Sequence, residues 1–399
     1  MSIESNMNIT KLPLGFKASG INCGVRRYRP DLALVYSETP CVAAGVFTLN
    51  ECKAAPVTYC QSIVPSSTVR AIVTNSGQAN AATGPEGVEN NLRMAVGVAK
   101  ELGCAPNQVL TASTGVIGQQ LAIEKIVYAF PELVRRSTPD ADLFSLAILT
   151  TDLVPKTASK DVTLSSGKIR ITGVCKGSGM IHPNMATMLG YIFTDVTLSA
   201  EMAQRYLKRA VDVSFNRISV DGDCSTNDTV FLLANGQSNI GIQNSSDEEI
   251  FFQGLVDVSQ ALAKKIAIDG EGATKLIEVT MTGAPSQQIA DKATRGITVS
   301  PLIKTAIHGE DPNWGRILAR VGAEGVPSAA IEKMVLRVQG QLLFENGRPT
   351  TFDRAHVREL LKANVVKIEI ELNSGDFKST AWGCDLSEKY VEINTEYTT

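Results

Sequence analysis

The chain has 399 residues, 44% of them hydrophobic and 20% charged, with a formal net charge of −3. That is an ordinary globular composition, long enough for two or three domains and a large core. It has no Lys/Arg run suited to nucleic acid, no stretch of about 18 apolar residues to span a membrane and no secretory leader, which together predict a cytoplasmic protein.

In chain order, "DLALVYSE" (31–38) and "VRAIVTNSG" (69–77) read as buried strands that end in turn residues. "GPEGVENNLRMAVGVAKELG" (84–103) reads as a helix with apolar positions Val88, Leu92, Ala95, Val96, Val98 and Ala99, closed by Gly103. "VLTASTGVIGQ" (109–119) is a strand running into a polar loop, and "TMLGYIFTD" (187–195) is apolar enough for a buried strand. "DGDCSTNDT" (221–229) alternates Asp221, Asp223, Ser225 and Asn227 like a calcium loop, but Thr226 replaces the turn glycine and Leu232 the closing glutamate. A polar turn before the strand "TVFLLAN" (229–235) fits better. "NGQSNIGIQNSSDEE" (235–249) is the most loop-like insert. "IDGEGATK" (268–275) reads equally well as a plain turn or as a ligand loop with Glu271 as a polar contact. "KLIEVTMTGA" (275–284) and "VVKIEIELNSG" (365–375) alternate like half-buried strands, and "NWGRILARVGAEG" (313–325) and "FDRAHVRELLKA" (352–363) between them read as helices. Strands and helices mix without the rhythm of a doubly wound sheet.

None of the eight cysteines forms a C-x-x-C pair, and the only histidines are His182, His308 and His356. A zinc or redox site, or a Ser-His-Asp triad, is poorly supported, and no metal site is expected. Walker A, G-x-G-x-x-G and G-x-S-x-G patterns are all missing.

"CKGSGMIHPNMATMLGYIFTD" (175–195) carries a different chemistry. A threonine hydroxyl is a weak nucleophile unless a base adjoins it. A threonine that begins a chain has such a base in its own α-amine, with a pKa of about 7.7–8.0. An internal threonine reaches that state by attacking the preceding carbonyl, shifting the acyl group from N to O and letting water open the ester. A small residue before it and a tight turn around it favour this. Ala186, Gly177, Gly179 and Pro183 meet those needs around Thr187. The plain alternative is a turn capped by Thr187.

The same segment closely resembles the self-cleaving site of the ornithine acetyltransferase (glutamate N-acetyltransferase) family of arginine biosynthesis. "TNSGQANAATG" (74–84), "TASTGVIGQ" (111–119), "TTD" (150–152), "SVDGDCSTNDT" (219–229), "DGEGATK" (269–275), "HGEDPNWGRI" (308–317) and the terminal "INTEYTT" look like family blocks in family order. Gln78 stands where the family has asparagine, and Cys175 where alanine is common. The resemblance implies cleavage between Ala186 and Thr187 into α (1–186) and β (187–399) chains, with Thr187 the nucleophile. It implies an oxyanion hole from the Thr114 side chain and the Gly115 N–H, and substrate contacts from Thr151 (rather than Thr150), Lys176, Glu271, Asn394 and Thr399. The implied reaction is ping-pong transfer of acetyl from N-acetylornithine to glutamate, with no bound cofactor and with acetyl-CoA admitted as a second donor. The implied fold is α/β (α+β): a four-layer αββα arrangement of stacked sheets, as in N-terminal-nucleophile aminopeptidases, over 1–277. A smaller α/β domain is implied over 278–399. The implied assembly is a heterotetramer of two α and two β chains, without nucleic-acid or membrane partners.

Overall fold

The computed structural model describes residues 9–182 and 188–396. Its strands are β1 (Phe16–Ile21), β2 (Leu32–Phe47), β3 (Ser66–Gln78), β4 (Val109–Val116), β5 (Lys156–Leu164), β6 (Gly167–Lys176), β7 (Leu189–Thr194), β8 (Ile218–Ser219), β9 (Thr229–Ala234), β10 (Leu276–Ala284), β11 (Val335–Val338), β12 (Gln341–Glu345), β13 (Arg348–Pro349), β14 (Val365–Glu371) and β15 (Phe377–Cys384). Its helices are α1 (Ala55–Gln61), α2 (Gly84–Leu102), α3 (Ile123–Arg135), α4 (Asp142–Ala147), α5 (Ala200–Asp212), α6 (Ser245–Ile268), α7 (Gln287–Val299), α8 (Pro301–His308), α9 (Trp314–Ala323), α10 (Ser328–Ile331), α11 (Arg354–Leu360) and α12 (Glu388–Glu396).

The 16-residue β2 organises the larger sheet, whose order is β4-β3-β2-β9-β7-β6-β5 with β1 also on β2. Its first half pairs with β1 and β3, and its second half, Val42–Phe47, pairs with β9. Between the halves the register against β3 slips at Tyr36/Cys41 and again at Cys41/Ala43. Slips of this kind bend a strand, and here they fold one hydrogen-bonded sheet into two stacked layers. Side-chain alternation supports this. Ala33, Val35 and Ile72 from one layer meet Tyr191, Phe193, Phe231 and Leu233 from the other in a single core. Phe16 lies 5.4 Å from Phe193, Phe144 stands edge-on to Tyr191, and the Tyr191 and Thr74 hydroxyls are 2.8 Å apart. The opposite faces are covered by helices. Leu32, Leu34, Ala71 and Val73 pack on α2 and α3, and Ile171, Ile192, Val230 and Leu232 pack on α5 and α6. The four layers expected from the sequence are therefore present.

The second sheet, β13-β12-β11-β14-β10-β15-β8, is covered on one face by α7, α8, α9 and α11 through Ile277, Val279, Ile297, Val321, Val357 and Ile368. Its edge strand β8 comes from the chain well before β10, which ties this sheet to the first unit. No described helix is long and apolar enough to cross a membrane.

Candidate active site

A cavity of about 370 Å³ opens where β4, β6, the 150–152 loop, the 221–227 segment, Glu271 and α12 meet. Thr114 and Gly115 enter it from the end of β4, where the pairing with β3 slips so that Gln78 faces both Thr114 and Val116. Gly115 has φ +132°, and a Cβ there would fall 2.2 Å from the Gly77 carbonyl carbon. Only glycine fits this turn. Its main-chain N–H and the neighbouring hydroxyl thereby sit together on one wall.

Lys176 ends β6 and pairs with Leu189, the first residue of β7. It is buried, and its Nζ lies 3.9 Å from Asp152 Oδ2. Asp152 accepts hydrogen bonds from Lys156 Nζ at 2.7 Å, the Gly177 N–H at 2.7 Å and the Thr150 N–H at 3.1 Å. Lys156 also contacts Asp269 at 2.5 Å. Burial alone would raise the Asp152 pKa, but Lys176 and Lys156 together outweigh it and hold the carboxyl at about 2. Burial pushes the Lys176 ammonium down, against the pull of Asp152. Lys176 thus reaches the cavity as a buried amine beside Asp152.

Glu271 faces it from the loop after α6. Its carboxyl lies over Gly179, where an added Cβ would come 2.4 Å from it, and Asn394 Nδ2 of α12 donates to Glu271 Oε2 at 2.9 Å. Of the residues singled out in the sequence, Thr114, Gly115, Thr150, Thr151, Lys176, Glu271 and Asn394 all line this one cavity. Glu271 therefore lies in a turn and also faces the cavity. Thr150 and Thr151 both face it, and the Thr150 N–H is already engaged by Asp152. Ala186, Thr187 and Thr399 lie outside the described residues.

The model of the ArgJ family matches residues 17–399. The chain belongs to the ArgJ family. A relative named arginine biosynthesis bifunctional protein ArgJ, from Thermotoga neapolitana, is 46% identical across 97% of this chain and 100% of its own. The crystal structure of arginine biosynthesis bifunctional protein ArgJ from Bacillus halodurans is 40% identical, with a TM-score of 0.51, over 53% of this chain and 100% of that one. An ornithine acetyltransferase from Mycobacterium tuberculosis, solved with ornithine, is 34% identical over 45% of this chain and 96% of its own, with a TM-score of 0.42.

Further groups stand around this ArgJ-family cavity. Asp152 was legible only as part of "TTD", yet it holds Lys176 in place. Tyr390 and Asp221 also line the cavity. The Asp/Asn alternation of 221–229 resembles a calcium loop only in its spacing. Instead, Asp221 accepts the Met180 and Ile181 N–H groups at 2.5 and 2.8 Å, and Asp228 accepts the Met188 N–H at 2.7 Å. Asn227 donates from Nδ2 to the carbonyls of Ala79 at 2.6 Å and Ser113 at 2.9 Å, tying this segment to the strand that carries Thr114.

Proposed function

We propose that this cavity moves an acetyl group from N-acetylornithine to glutamate through an acetyl ester on Thr187. As an ArgJ-family member the chain is an acyltransferase of arginine biosynthesis. The observation that carries the mechanism is the meeting of Thr114, Gly115, Lys176 and the Glu271–Asn394 pair on one cavity from distant parts of the chain. Cleavage before Thr187 leaves its α-amine as the base for its own hydroxyl. The oxygen attacks the acetyl carbonyl, and Thr114 Oγ1 and the Gly115 N–H take the charge that develops on the carbonyl oxygen. The C–N bond breaks, the departing amine takes the proton, and ornithine leaves. The glutamate amine then attacks the ester and releases the threonine oxygen. Lys176 suits the carboxylate that both substrates carry. Glu271, oriented by Asn394, suits an ammonium group, and Thr151 and Thr399 complete the proposed contacts.

Processing before Thr187 would leave a β chain of residues 187–399. The Bacillus halodurans chain corresponds to 53% of this one. Residues 187–399 make up the same share, 213/399. Acetyl-CoA, a thioester open to the same attack, is the second donor to assay. An assembly of two α and two β chains in the cytoplasm, with the smaller α/β unit over 278–399, completes the proposal.

The test is transfer itself. Ornithine release from N-acetylornithine should depend on glutamate and match acetylglutamate formation mole for mole. Release at the same rate without glutamate would make the protein a hydrolase on this fold.

A further inference from the structure

The segment 219–229 holds the described chain on both sides of residues 183–187. Ile181 is fixed by its N–H to Asp221 Oδ1, and its carbonyl accepts from the Val220 N–H at 2.7 Å and Ser219 Oγ at 3.1 Å. Met188 is fixed by its N–H to Asp228 Oδ1, and its carbonyl accepts from the Thr229 N–H at 3.1 Å. Asp228 is 1% exposed, so the partners of its carboxyl are set by the fold. The register sharpens the point. Thr229 pairs with Leu189 across β7/β9, so Asp228 stands just before the strand that brackets the start of β7.

We infer that Asp228 is the positioning residue for the Thr187 nucleophile, acting through its hydrogen bond to the Met188 N–H at the mouth of β7; this rests on the reading of Thr187 given above. The bond fixes the main chain one residue beyond the nucleophile. Asn227, adjacent in the same segment, fixes the strand of Thr114. One continuous stretch thereby holds both Met188, the residue after the nucleophile, and the strand that carries the oxyanion donors. Displacement by about 1 Å at such a site costs on the order of 10²-fold in rate. Burial holds the Asp228 carboxyl well above the usual carboxylate range, despite the Met188 N–H and Lys176. A carboxamide oxygen can accept the Met188 hydrogen bond as the carboxyl oxygen does.

That similarity sets the experiment. Asp228→Ala and Asp228→Asn are compared with wild type for self-cleavage on denaturing gels and for kcat and KM of acetyl transfer per mole of folded enzyme. Asp228→Ala should lose about 10²-fold in kcat with KM little changed, and should split more slowly. Asp228→Asn, which keeps the acceptor, should run at least about tenfold faster than Asp228→Ala. If Asp228→Ala equals wild type, if Asp228→Asn is as slow as Asp228→Ala, or if only KM rises, the positioning role is wrong. Should Asp228→Ala fail to fold by circular dichroism, Asp228→Asn decides: a kcat within about tenfold of wild type supports the role, and a larger loss overturns it. Wild type that splits and transfers normally isolates a failure to Asp228. Wild type that did neither would overturn the nucleophile reading, and this inference with it.

Discussion

Thr114 is 9% exposed at the cavity wall, beside a glycine that no other residue can replace. Thr114→Ala should lower kcat by about 10²-fold with little change in KM, because the hydroxyl matters once charge develops on oxygen. Steady-state kinetics with N-acetylornithine check this, and unchanged kcat with a raised KM would make Thr114 a ground-state contact. The Asp152 carboxyl sits at about 2 because two buried lysines outweigh its burial. Its folded pKa lies below the unfolded value of about 3.9, so its stabilisation is present above that pH and is lost as pH falls through about 4 toward 2. Asp152→Asn should flatten that acid limb. It should also cost about 3 kcal/mol at neutral pH, since Lys156 keeps only Asp269 and Lys176 loses its counter-charge. Urea unfolding across pH 2–7 reads both effects. At this scale the sequence pointed to the residues on the cavity but not to the carboxylates behind them. Asp152 and Asp228 act through contacts made by folding, and no spacing in the chain announces those.

α12 shows how a whole element serves the site. It brings Tyr390 and Asn394 to the cavity, and Gly272 makes its close approach possible. Gly272 has φ +70°, and a Cβ there would come 2.5 Å from the Tyr390 nitrogen. Gly272→Ala should therefore push α12 off Glu271 and raise KM. Removal of residues 394–399 should abolish transfer yet leave cleavage intact, giving a folded, inactive protein that runs as two bands. Transfer near wild type after truncation would show a dispensable end. Element identity was readable in β10 and β14, where one face dominated, and in β3 and β9, whose continuous apolar runs are buried on both faces. On α2, Ala95, Val98 and Ala99 face the core as expected, but Val88, Leu92 and Val96 are exposed. The insert read as a loop ends in the N-terminal turn of α6, where the Asn244 side chain accepts the Asp247 N–H at 2.9 Å and caps the 24-residue helix. Likewise β2 runs on to Phe47, past the polar residues at 37–38 that read as its end, because the bend between the layers occurs inside the strand.

At the scale of the whole molecule, the proposed cut falls between strands that remain paired. β6 precedes it and β7 follows it, β2 pairs with β9 across it, and the core between the layers takes Phe16, Val35 and Phe144 from one piece and Tyr191, Phe231 and Leu233 from the other. The processed chains should therefore elute together under native conditions. They should separate only on denaturation, into pieces of about 20 and 23 kDa when 42.7 kDa is divided at 186/399. Thr187→Ala should remain one full-length, inactive chain. The central claim, an acetyl ester on Thr187, is tested most directly by intact mass spectrometry after exposure to N-acetylornithine alone, without glutamate. The account predicts that the 187–399 chain gains the mass of one acetyl group at its first residue and loses it when glutamate is added. An unmodified 187–399 chain that still supports transfer, or an acetyl group on any other residue, would contradict it.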